Sequence, residues 1–209
     1  ARLHQLKRDD IAFVVSIWEK NLLFFSARHN LFPDNEGYKE KTAEAYYNVA
    51  LHSMSFVEEK SYEIQKRFNI ENAITKSRLG LQFCRNNNLM SNEYFFLLED
   101  RLIEGLIEYK NPEALTEISQ ARKIIKKYYS GDVLKQIKID VREADYLIRL
   151  NKKNEALKIL LNAENKIYKI TSKEFNFLSV QYLLFSDLQD LYMDFGDIKS
   201  SQYYQKLQD

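Results

Sequence analysis

Apolar residues fall at helical spacing along almost the whole chain, and the breaks between the runs are short. Near the start, Ile11, Val14, Val15, Trp18, Leu22 and Phe25 share one stripe, with Asp9 and Asp10 where acids favour a helix start; this predicts one helix over 1–30. The stretch LFPDNEG at 31–37 breaks it. Residues 38–68 then read as helical, with Tyr47, Ala50, Met54, Val57 and Ile64 near one stripe. They form one helix, or two with Ser61 as the interruption, and Phe68 and Asn69 end the stretch. A further helix over 70–85 carries Ala73, Leu79 and Phe83, and Asn86, Asn87 and Asn88 punctuate the chain after it.

The second half repeats this alternation with clearer signals. Ser91 or Asn92 caps a helix over 93–109, and Asn111-Pro112-Glu113 opens the next, with Pro at the first helical position. Ser130-Gly131-Asp132 stops it. Two helices joined by a polar turn fill 133–170, with Asn154 as the cap of the second. Ser172 precedes a helix over 173–195, Gly196-Asp197 makes the last turn, and a short helix covers 198–207. No strand-like alternation runs longer than four residues.

Particular positions recur at a fixed distance. Leu102 and Leu106 are followed 42 residues later by Ala144 and Ile148, and Ala114 by Ala156 at the same interval. The next step is 44 residues, to Leu188, Tyr192 and Ser200. Within the second helix of each unit the order is small, large, small: Ala114, Ile118 and Ala121, then Ala156, Leu160 and Ala163. Ala73, Ser77 and Gly80 repeat those offsets in a degenerate earlier unit. Small residues let helix axes approach and large ones fill the gap a turn away. Three landmarks shifting together mark a stacked repeat.

Composition narrows the class. Thirty-one Lys and Arg balance thirty Asp and Glu, so bulk charge calls for neither nucleic acid nor an anionic membrane. Five Gly and two Pro are few, as expected of long helices with few connections. With Cys84 as the one cysteine, no intrachain disulfide forms, which agrees with a reducing compartment. No apolar run approaches the roughly 18 residues of a membrane span, and the start has no signal-peptide pattern. The expected location is cytoplasmic, with an extracytoplasmic sensor segment as the alternative.

Chemistry-bearing residues are sparse. His4, His29 and His52 are scattered, with no pair at metal-ligand spacing, so no metal and no cofactor is expected. Cys84 sits beside Phe83 on an apolar helical segment and reads as a buried structural thiol. Gly-rich phosphate loops, GxSxG and HExxH are absent. The acids Glu99, Asp100, Glu104 and Glu108 read as a solvated helix face, and the chain is expected not to be an enzyme. RKIIKKYY at 122–129 is basic, but it lies at a helix C-terminal end, where cations complement the dipole.

DLYMDFGDIKSSQYYQKL at 190–207 resembles the second half of a tetratricopeptide unit, with its Gly-Asp turn, a small residue opening the second helix, paired Tyr203-Tyr204, and Lys206. NEALKILLNAENKI at 154–167 and PEALTEISQARKII at 112–125 are similar to the family's second helix. The likeness covers 93–209 well, 38–88 weakly and the first helix not at all. The period here exceeds the family's roughly 34 residues, the turn is one residue shorter, and the family's Trp is missing from these units. The resemblance implies an all-α fold of about nine helices, with antiparallel pairs stacked into a right-handed superhelix. As one helical-repeat domain it divides into a helix and break at 1–37, a degenerate pair at 38–88, and pairs at 89–131, 132–172 and 173–209.

Such arrays bind proteins or peptides along their first helices. The implied groove residues are Asp100, Glu104 and Glu108 in one unit, Arg142, Tyr146 and Arg149 in the next, and Ser186, Asp190 and Asp194 in the last. Arg142 would take a peptide carboxylate bidentately and Tyr146 would serve as an apolar platform. The long repeats and the Lys/Asn/Ile/Tyr-rich composition are similar to sensor domains of peptide-responsive bacterial regulators, implying a regulatory part of a larger protein. A stand-alone adaptor or co-chaperone is the alternative, and nucleic acid would be reached only through a further domain. The last helix, expected to expose Tyr203, Tyr204 and Leu207, offers a surface for a homodimer.

Overall fold

The computed structural model describes the backbone of residues 2–54, 63–170 and 175–208, and the side chains of 12–54, 66–170 and 177–208. Within these residues the protein is all-α, with nine helices and no strand. Contacts divide it into two compact units, residues 1–109 and 110–209. The boundary falls inside the pair expected at 89–131.

The first unit holds α1 (Arg2–Leu31), α2 (Glu36–Met54), α3 (Glu63–Asn86) and α4 (Glu93–Glu108). Helix α1 packs on α2, and α2, α3 and α4 pack against one another. Trp18, Leu22 and Phe25 of the first stripe meet Ala45, Tyr46 and Val49 of α2. Asp9, Asp10 and the side chain of Ile11 lie outside the described residues, as do Val57, Ser61 and the side chain of Ile64. The break after α1 is shorter than 31–37: Asn35 accepts from Tyr38 N at 3.1 Å, and α2 already includes Gly37.

One expected boundary is absent. Helix α3 runs through Phe68 and Asn69 without interruption. Neither residue breaks a helix by sterics, and the buried stripe Ile70, Ala73, Ile74, Ser77, Leu81 and Cys84 continues in phase beyond them. Asn92 is the cap of α4, accepting from Tyr94 N at 2.9 Å.

The second unit holds α5 (Glu113–Tyr128), α6 (Val133–Arg149), α7 (Lys153–Ile167), α8 (Phe175–Asp194) and α9 (Ile198–Gln208). Helix α6 packs on α5, α7 and α8; α8 also packs on α7 and α9. The core joins Ile137, Val141, Ala144 and Leu147 of α6 to Ala156, Leu160, Ala163 and Ile167 of α7 and to Leu184, Phe185, Leu188 and Leu191 of α8. The small-large-small positions are therefore contact positions: Ala114, Ile118, Ala121, Ala156, Leu160 and Ala163 are all buried.

Asn111 caps α5 by accepting from Glu113 N at 2.9 Å. Asn154 does not cap α7, which starts one residue earlier at Lys153 with no side-chain cap bond. Ser172 lies outside the described residues. In α9 the small contact position is Ser201, not Ser200, because Ser200 is held in the first turn by Asp197: its N–H donates to Oδ1 at 3.1 Å and its hydroxyl to Oδ2 at 2.7 Å. Tyr204 is not exposed either. Its ring stacks on Tyr192 with centroids 5.7 Å apart, and its hydroxyl donates to the Glu164 carboxylate at 3.1 Å. Among the described residues no helix is long and apolar enough to cross a membrane.

Candidate functional site

Helix α6 is fixed at its start by Asp132, whose carboxylate accepts from Lys135 N at 3.1 Å and from Lys135 Nζ at 2.9 Å. The buried positions Ile137, Val141, Ala144 and Leu147 set which way its later polar residues face. Packing α6 on α8 brings Arg142 and Asp145 together with Asp187 and Asp190. Arg142 Nη1 lies 3.6 Å from Asp145 Oδ2, on the same helix face at i,i+3.

Asp187 is the unusual member. Its Oδ2 is fully buried and, among the described residues, has no hydrogen-bond partner. Burial pushes its carboxyl up to about 9; the neighbouring Asp145 adds to the rise through its charge and a hydrogen bond, and Asp190 through its charge, while Arg142 pulls the other way. Two carboxyls in contact in a low-dielectric setting cannot both ionise, so Asp187 keeps a proton at neutral pH and shares it with Asp145. With Asp187 neutral, the face carries one cation and two anions.

Of the residues expected in the groove, Arg142 and Asp190 belong to this cluster. Arg142 and Tyr146 were expected on an exposed helix face, and the structure corrects that: they are 7% and 3% exposed. Helix α6 is covered over most of its surface, which takes both side chains out of solvent. Arg149 stays exposed at the helix end and Ser186 is half-buried. Asp194 is exposed and paired with Lys153 Nζ at 2.9 Å, which ties the end of α8 to the start of α7.

The three acids of α4 sit in the first unit. Asp100 is fully buried and accepts from Arg101 Nη2 at 2.7 Å. Arg101 also pairs with Glu104, and Glu108 lies 3.5 Å from Lys66 Nζ on α3. These acids are engaged within their own unit. Sequence reasoning missed Asp145 and Asp187. The available signal was only a pair of acids on successive first helices, 42 residues apart where the repeat steps by 44, so the offset did not align them.

Cys84 is buried, and desolvation pushes its thiol up to about 12, which keeps it protonated and unreactive. Among the described residues no three His, Cys, Asp or Glu side chains are grouped to hold a metal ion. Compared with protein-family models, curated proteins and solved structures, the chain matches none.

Proposed function

We propose that the chain is a non-enzymatic scaffold that binds a protein or short peptide, and that it forms the regulatory or sensor part of a larger bacterial regulator. In this reading α6–α7 and α8–α9, both within the second unit, are tetratricopeptide-like pairs. The observation that supports it most is the α6–α8 face, where one arginine is set among three aspartates, one of them protonated. Such a face recognises polar groups by charge and hydrogen bonding. The surplus of acid changes the expected ligand: a basic side chain at Asp190 fits better than a peptide carboxylate at Arg142, which Asp145 already engages. The long repeats support the regulator reading over the stand-alone adaptor; both would use this face.

The test is selection from a random peptide display library against the full chain. Enrichment of Lys- or Arg-containing peptides is expected, with binding lost in Asp190→Lys and the melting temperature unchanged, since Asp190 is exposed. No enrichment, or equal binding by the variant, would overturn the reading. A flanking coding sequence without a DNA-binding or membrane segment would leave the adaptor as the better account.

A further inference from the structure

A second polar feature lies within the second unit, apart from the α6–α8 cluster. A cavity of about 330 Å³ is lined by Arg122, Ile125 and Lys126 of α5, Ser130 and Gly131 of the following turn, Gln136 and Asp140 of α6, and Lys166 of α7. That volume lies at the lower end of small-molecule sites. Three cations face one carboxylate. Both oxygens of Asp140 are engaged, Oδ1 accepting from Arg122 Nη2 at 2.8 Å and Oδ2 from Lys166 Nζ at 2.6 Å. Glu143 takes the same Nη2 of Arg122 at 2.5 Å, and among the described residues Nε and Nη1 of that guanidinium have no partner. The side chains of Lys126, Ser130 and Gln136 have no hydrogen bond or ion pair among the described residues.

A purely structural knot needs the Arg122–Asp140–Lys166 bridge but neither the cavity nor the unengaged donors beside it. Lys126, Ser130, Gln136 and the free guanidinium nitrogens are all able to donate, while Ile125 gives the wall an apolar patch. We propose that this cavity binds a small organic anion, a carboxylate or phosphate ester with a short apolar body. The anionic head meets Lys126 and Arg122, and the body lies on Ile125. Asp140 holds Arg122 and Lys166 in place for it, which reduces the ordering cost of binding.

The full chain is titrated with succinate and with phenyl phosphate at constant ionic strength, following backbone amide shifts by NMR. Saturable shifts at Ser130, Gly131 and Gln136 are expected with one of the two anions, and the one that saturates identifies the head group. Lys126→Glu, at an exposed position, should weaken that binding about tenfold or more while leaving the melting temperature unchanged. No saturable shift with either anion, or equal shifts in Lys126→Glu, would overturn the proposal, as would equal shifts with sodium chloride alone. Peptide binding through Asp190 is read separately, so failure here is distinct from failure of the scaffold reading.

Discussion

At the scale of single residues, the tightest constraint is on glycine. Gly80 occupies the last small position of the degenerate unit, where the later units carry Ala121 and Ala163. A Cβ at Gly80 would stand 2.8 Å from Tyr46 Cβ and 2.8 Å from a Leu98 methyl carbon. Tyr46 Cβ is fixed by its own helix and cannot yield. Alanine gains about 1 kcal/mol of helix propensity over glycine, while overpacking costs about 1–3 kcal/mol, so the clash wins. Gly80→Ala should lower unfolding free energy by up to about 2 kcal/mol in a denaturant titration. Unchanged stability would mean that α2, α3 and α4 separate easily at this point.

At the scale of elements, helix endings were only partly legible. Gly131 and Gly196 announced their turns, and both have positive φ. Asn151 adopts a φ of 62°, as its residue type allows, whereas Lys110 adopts a φ of 51° with no comparable signal. After α3, α6 and α8 the same bond, from an N–H to the carbonyl five residues back, closes the helix: Leu89 N to Cys84 O, Lys152 N to Leu147 O, and Asp197 N to Tyr192 O, at 2.8–2.9 Å. Asparagine tolerates the left-handed conformation; lysine does so at a cost. Lys110→Gly should therefore raise stability by about 0.5–1 kcal/mol, whereas Asn151→Ala should lower it by about 1 kcal/mol, both from thermal unfolding. Helix count, the apolar stripes and the small-residue contacts were readable because spacing alone encodes them. The continuity of α3 was not, because Phe68 and Asn69 look like an ending until the stripe is followed in three dimensions. The site was less legible still. Arg142 and Asp190 could be placed by repeat offset, but the burial of Arg142 and Tyr146 and the pairing of Asp145 with Asp187 depend on neighbouring helices.

At the scale of the whole molecule, the half-buried Asp187 links global stability to pH. Its carboxyl is raised in the folded chain to about 9, against an ordinary value near 3.8. Between those values the folded state holds a proton that the unfolded state has lost. Stability from this group is therefore fully present below about pH 4 and declines as pH rises toward 9, by up to about 1.4 kcal/mol per pH unit for one proton. That is the reverse of the usual salt-bridged carboxylate, whose contribution is lost on acidification. Asp187→Asn keeps the shape and offers Asp145 an N–H donor without a proton to lose, so it should flatten the decline and raise the melting temperature at pH 8. Melting curves of both proteins from pH 5 to pH 9, above the titration range of ordinary carboxylates, isolate the effect. Parallel profiles would show that Asp187 ionises in the folded state, and that Arg142 outweighs Asp145 and burial on the α6–α8 face.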